Sequence, residues 1–110
     1  MSSSDDRITV LRMLTEAEPG DAATWFLLGR ELAAAGRSGE AVEAFRGAIA
    51  AQPDYAAAFR QLGNALEAAG RTDEAIATYR AGVVVAERTH DLQAGKEMNA
   101  FLKRIARGGA

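Results

Sequence analysis

His90 is the chain's single histidine, and with Asp91 beside it it would be the base of any Ser-His-Asp relay built here. Neighbours in sequence do not converge on a serine in that way, and the pair falls at an expected helix boundary, where capping or a surface role accounts for both. Catalytic metal chemistry would have to rest on carboxylates, because cysteine is absent. The acidic residues are dispersed over helix starts and polar faces, where solvation and the helix dipole explain them. Gly36-Arg37-Ser38-Gly39 lacks the lysine and the spacing of a phosphate loop and reads as a turn. The expectation is a protein without catalytic residues, metal or cofactor. Arginine and amide side chains at Arg30, Arg60, Gln61 and Asn64 are of another kind: they make charge-assisted hydrogen bonds to carboxylates, if the fold brings them together.

Composition limits what could position them. A chain of 110 residues is in the range of one domain, 1–110, large enough for its own core. Thirteen Lys+Arg against fifteen Asp+Glu leave a formal charge of -2, which gives no general attraction to nucleic acid or anionic membranes. The absence of cysteine excludes a disulfide scaffold and suits a reducing compartment. The start, Met1-Ser2-Ser3-Ser4-Asp5-Asp6, lacks the basic and apolar segments of a signal peptide, and no apolar run approaches the length of a membrane span. A cytoplasmic location is expected.

The chain repeats itself. A shift of 34 places Pro19 on Pro53, Leu28-Gly29 on Leu62-Gly63, Leu32 on Leu66, Ala35-Gly36-Arg37 on Ala69-Gly70-Arg71, and Glu40-Ala41 on Glu74-Ala75. Aromatics follow the same shift, Trp25 with Phe59 and Phe45 with Tyr79. Each unit holds two stretches of helical period, one carrying Trp25, Leu28, Gly29 and Leu32, the other Val42, Phe45 and Ile49. Gly36 and Gly70 suit the position just past a helix end, Ser38 and Thr72 the next N-cap, and Asp21 and Asp54 the N-cap of each unit's first helix. Each unit is therefore a helical hairpin. Gly29 and Gly63 fall in mid-helix, where glycine costs about 1 kcal/mol against alanine. Close approach of the second helix, with Phe45 or Tyr79 over the gap, explains them.

These residues resemble the tetratricopeptide repeat (TPR). Trp25, Leu28, Gly29, Leu32, Ala41, Phe45, Ala48 and Pro53 match its signature spacing, with Leu32 in place of the signature tyrosine. Phe59, Leu62, Gly63, Leu66, Ala75 and Tyr79 match it again, after which Gly82 replaces alanine and Glu87 stands where proline is expected. The resemblance spans residues 19 to 87 and implies an all-α, short right-handed solenoid used as a protein-interaction scaffold. The units are 19–52 and 53–87, flanked by a partial-repeat helix in 1–18 and a C-terminal capping helix in 88–110, about six antiparallel helices in all. In the leading helix Leu11 aligns with Phe45 and Leu14 with Ala48, while Arg7 aligns with Ala41 and must turn outward. The fourth repeat helix runs on through Val83-Val84-Val85-Ala86, and Ala94, Met98, Phe101, Leu102 and Ile105 form one face of the last helix.

In such stacks the first helices line a concave face, and their non-signature residues touch partners. By the resemblance these are Ala23, Phe26, Arg30, Ala33 and Ala34, then Ala57, Arg60, Gln61, Asn64 and Glu67. Phe26 follows Trp25 and points about 100° away from it, either toward a partner or beneath the N-terminal helix. Arg60-Gln61-Leu62-Gly63-Asn64 is similar to the start of the carboxylate-clamp TPR domains of chaperone cofactors, with arginine for lysine. The resemblance thus implies an adaptor for a peptide segment, acidic or carboxylate-ended, on a monomer or weak homodimer. The other expectation is a self-associating structural module, because two full units leave little concave surface.

Overall fold

The computed structural model describes residues 3–108, and these form six helices: α1 (Ser3–Ala17), α2 (Ala22–Ala34), α3 (Ser38–Ala51), α4 (Ala56–Ala68), α5 (Thr72–Thr89) and α6 (Leu92–Ala106). Met1 and Ser2, on which the reading of the start partly rests, lie outside the described residues, as do positions 109 and 110. Helices α2 with α3 and α4 with α5 are the two repeat hairpins, and each neighbouring helix packs on the last, giving the short α-solenoid.

Local chemistry sets the breaks between helices. Gly36 and Gly70 both adopt φ of +76°, a left-handed turn that a β-carbon disfavours, and so end α2 and α4. Asp21 caps α2, its carboxylate accepting from the Ala23 and Thr24 amides. The other expected caps are displaced. The residue before α4 is Tyr55 rather than Asp54, and Arg37 and Arg71 precede α3 and α5, so Ser38 and Thr72 are the first helical residues. None of these three caps supplies a side-chain acceptor. Arg37 and Arg71 instead reach forward three residues to Glu40 (2.7 Å) and Glu74 (2.6 Å). Those hydrogen bonds hold both exposed carboxyls below their ordinary pKa.

The core runs through the stack: Leu28, Leu32, Val42, Phe45, Leu66, Tyr79 and Met98 are fully buried. A β-carbon on Gly29 would lie 2.5 Å from the Phe45 ring, and one on Gly63 would lie closer still to Tyr79. Gly47, which periodicity does not single out, is covered by Trp25, whose indole N–H donates to the Pro19 carbonyl at 2.8 Å. Helix α5 continues to Thr89 and stops at His90, which takes φ of +60° and is exposed. Asp91 then caps α6, its carboxylate accepting from the Ala94 amide. Ala94 and Met98 are buried, with Phe101, Leu102 and Ile105 packed at the margin of the core. Arg7 turns outward and pairs with Glu31 at 2.9 Å. Leu14 departs from its alignment with Ala48: Ala48 is buried and Leu14 exposed, because among the described residues no helix packs on that side of α1.

Candidate interaction surface

First helices approach one another, α2 with α4 and α4 with α6, whereas the backbones of α1, α3 and α5 stay apart. The stack is therefore bent with α2, α4 and α6 on its inner side. Because α6 occupies the place of a third first helix, it adds its own side chains to the face that α2 and α4 line.

Two environments result. Around α2, Phe26 turns away from α1 and packs on the far side, with its ring stacked on Tyr55 at 5.1 Å and edge-on to Phe45 at 5.7 Å. Tyr55 is half-buried, and desolvation raises its pKa, partly opposed by the charge of Arg30. Arg30 is exposed and makes no ion pair among the described residues. An aromatic pair, a tyrosine hydroxyl and a solvated cation lie together here. Ala23, Ala33 and Ala34 are exposed on the same helix.

Around α4 the polar groups are already engaged. Arg60 pairs with Glu97 of α6 at 3.0 Å, with both side chains largely sheltered (23% and 33% exposed). Glu67 pairs with Arg104 at 2.8 Å. The Tyr79 hydroxyl donates its one proton to Glu67 Oε2 (2.5 Å) and lies 2.7 Å from Asn64 Oδ1. Burial, followed by that hydrogen bond to a carboxylate, pushes the Tyr79 pKa well up. Gln61 and Ala57 are half-buried beside them. So Arg30, Arg60 and Asn64 do not form one open cluster: Arg60 and Asn64 join a network between α4, α5 and α6, while Arg30 stands on α2. Sequence reasoning missed Tyr55, Glu97 and Arg104. Tyr55 precedes α4 rather than lying within it, and the other two belong to a helix outside the 34-residue register.

A groove of about 660 Å³ lies between α1 and α2, with Val10, Leu11, Leu27 and Ala34 as its apolar wall and Arg30 among its polar residues. No helix is long and apolar enough to cross a membrane, and no group of three or more histidine, cysteine or acidic residues could hold a metal ion, among the described residues.

Comparison with known proteins bears on the family and the fold. The family model of the tetratricopeptide repeat matches residues 9–55 and 26–89. No curated protein matches the chain. Among solved structures, the protein BPP2914 from Bordetella parapertussis is 26% identical, with a TM-score of 0.79 over 98% of this chain and 90% of that one. MamA MSR-1 is 27% identical, with a TM-score of 0.74 over 78% of this chain and 49% of its own. MamA AMB-1 is 27% identical, with a TM-score of 0.70 over 74% of this chain and 48% of its own. The chain thus spans about half the length of the MamA structures it matches.

Proposed function

The chain belongs to the tetratricopeptide repeat family, and we propose that this protein-interaction or assembly module acts as an adaptor, binding a peptide segment of a partner protein on its inner face. The observation that carries the reading is the grouping of Arg30 with the Phe26–Tyr55 stack. An apolar side chain of the segment rests on the two rings, and an acidic side chain or terminal carboxylate takes the guanidinium of Arg30. Further along the face, Arg60 is reached by exchange: the incoming carboxylate replaces Glu97, trading one ion pair for another while Gln61, Asn64 and Glu67 border the path. The role needs no cofactor, metal or catalytic group, and cysteine-free composition fits work in the cytoplasm.

Selection from random peptides with free carboxyl ends tests this. Selected peptides are expected to carry a large apolar residue near the carboxylate and to lose about tenfold in affinity when the end is amidated, since a charge-assisted hydrogen bond contributes about 1.5–3 kcal/mol. Arg30→Ala is expected to weaken them similarly, and Glu97→Gln to strengthen them by releasing Arg60. Peptides indifferent to amidation, to salt and to both substitutions would remove the acidic-segment reading.

Self-association is the second reading, and a separate observation favours it. Val10, Met13, Leu14 and Leu27 are exposed together at the α1 end of the stack.

A further inference from the structure

The repeat register runs through the outer ion pairs as well as through the core. Arg12 of α1 pairs with Glu40 of α3, and Arg46 of α3 pairs with Glu74 of α5 at 3.3 Å. Both bridges join residues 28 apart in sequence, and the two are related by the shift of 34. The next cation in this series is Arg80, which makes no ion pair among the described residues. The acidic residue one shift before Glu40 is Asp6, which likewise has no ion-pair partner among them. The ladder therefore ends in an unmatched cation on α5 and begins with an unmatched anion on α1.

The apolar surface is open at the same two ends. Ala44, Phe45 and Ala48, the face that α3 presents to the stack, are 3%, 0% and 0% exposed. Their counterparts one shift earlier are Val10, Leu11 and Leu14, of which Val10 is 53% and Leu14 49% exposed. Helix α1 is thus the second helix of a hairpin whose first helix is missing among the described residues. Helix α6 is the converse, a first helix with no second helix beside it. Along it run two depressions that share Asn99, about 450 Å³ beside Ile76, Arg80 and Leu102 and about 170 Å³ beside Val83 and Gly95. Arg80 lies on the wall of the larger one.

We propose that copies of this chain associate head to tail, α1 of one copy lying in the trough between α5 and α6 of another so that Asp6 of the first pairs with Arg80 of the second. The proposal rests on the self-association reading and names its interface. The pairing continues the repeat: α1 meets α6 as α3 meets α2, and the same docking carries α6 into the groove of about 660 Å³ between α1 and α2. Both open apolar surfaces are covered at once. The contact joins two different patches, so every assembly, whatever its length, still presents one free head and one free tail, and growth passes beyond the dimer.

Sedimentation velocity of the full chain from about 10 µM to 1 mM is the test. Weight-average mass is expected to rise with concentration past that of a dimer. Asp6→Arg or Arg80→Asp alone is expected to weaken association about three- to tenfold, by losing an exposed ion pair and placing like charges together. An equimolar mixture of the two variants should regain it, because each reversed end finds its complement on the other chain. Leu14→Asp should weaken association about tenfold or more, with circular dichroism showing the fold retained. A wild-type chain monomeric at 1 mM would overturn self-association itself. Association that persists unchanged in all three variants, that stops at a closed dimer, or that the mixture fails to restore would overturn this interface and leave the broader reading standing.

Discussion

The ring of Tyr79 occupies the space that a β-carbon on Gly63 would need, and its hydroxyl extends past that glycine to Asn64 and Glu67 on the same helix. One side chain thus joins the two levels of the molecule. Its ring closes the second hairpin, and its oxygen fixes the polar residues that α4 turns toward the inner face. Glu67, so fixed, receives Arg104 from α6. Core packing and the charge pattern of the inner face are set by the same contact.

Replacing Gly63 or Gly29 by alanine tests the close approach. Alanine would gain about 1 kcal/mol in helix propensity, which favours the variant. Against this, the new methyl meets rings that are fully buried and have no room to swing away. Overpacking of this kind costs about 1–3 kcal/mol, and the net effect is expected to be destabilising. In the Gly29→Ala, Phe45→Leu pair the two costs should be less than additive, since the smaller side chain vacates the site. Unchanged or raised melting temperatures for both glycine variants would contradict the packing.

Tyr79→Phe removes the hydroxyl and keeps the ring. Leaving the Glu67 carboxylate without that donor is expected to cost about 1–2 kcal/mol near neutral pH. Its pH dependence has a definite sign. The folded state holds the phenol pKa above its unfolded value of about 10, so the stabilisation is complete below that pH and is lost as pH rises toward the folded value. Wild type should therefore lose stability between about pH 9 and 11 more steeply than Tyr79→Phe. Parallel melting curves over that range would show that the hydroxyl is not held neutral by its surroundings.

Much of this architecture is legible in the residues. The 34-residue shift places both hairpins, and Gly36 and Gly70 mark the turns at the residues that take positive φ. Capping was misread by one residue at three helices, because Ser38, Thr72 and Asp54 are good caps by type while the turn geometry puts Arg37, Arg71 and Tyr55 at the boundary. Charge pairing across α4 and α6 was hidden for a different reason. Helix α5 has four residues more than α3, and α6 begins 36 residues after α4 instead of 34, so Arg60–Glu97 and Glu67–Arg104 bridge 37 positions. A periodicity that identifies the repeats does not extend to partners outside them. The Phe26–Tyr55 stack escaped notice because Tyr55 lies in a loop, where helical spacing carries no information.

On α1, two apolar residues six positions apart should behave oppositely. Ile8 is buried against the core, and Ile8→Ser should cost about 2–4 kcal/mol through lost burial and an unfilled space. Leu14 is half exposed, and Leu14→Ser should change the stability of the isolated chain by no more than about 0.5 kcal/mol. Chemical denaturation at micromolar concentration, below the range of association, compares the two. A large loss from Leu14→Ser would mean that its side of α1 is covered.

The last helix decides whether the second repeat can stand uncovered. Met98 is fully buried and fills the place left by Gly82, with its sulfur and methyl against the position a β-carbon would take. Met98→Ala should therefore cost about 2–5 kcal/mol, as large-to-small changes in a closed core do. Ending the chain before Asp91 goes further. It exposes Val85, Ala86 and the Tyr79 ring, on which Phe101 packs at 5.3 Å, and it strips Arg60 and Glu67 of Glu97 and Arg104. Two sheltered ion pairs and a contiguous apolar face are lost together, so the shortened chain is expected to melt earlier and to aggregate or bind a hydrophobic dye. Restoring the helix as a separate peptide of residues 91–108 should bind the shortened chain and recover its melting temperature, and the Met98→Ala peptide should do so less well. A shortened chain that stays monomeric, dye-free and equally stable would show that α6 contributes no packing to the second repeat.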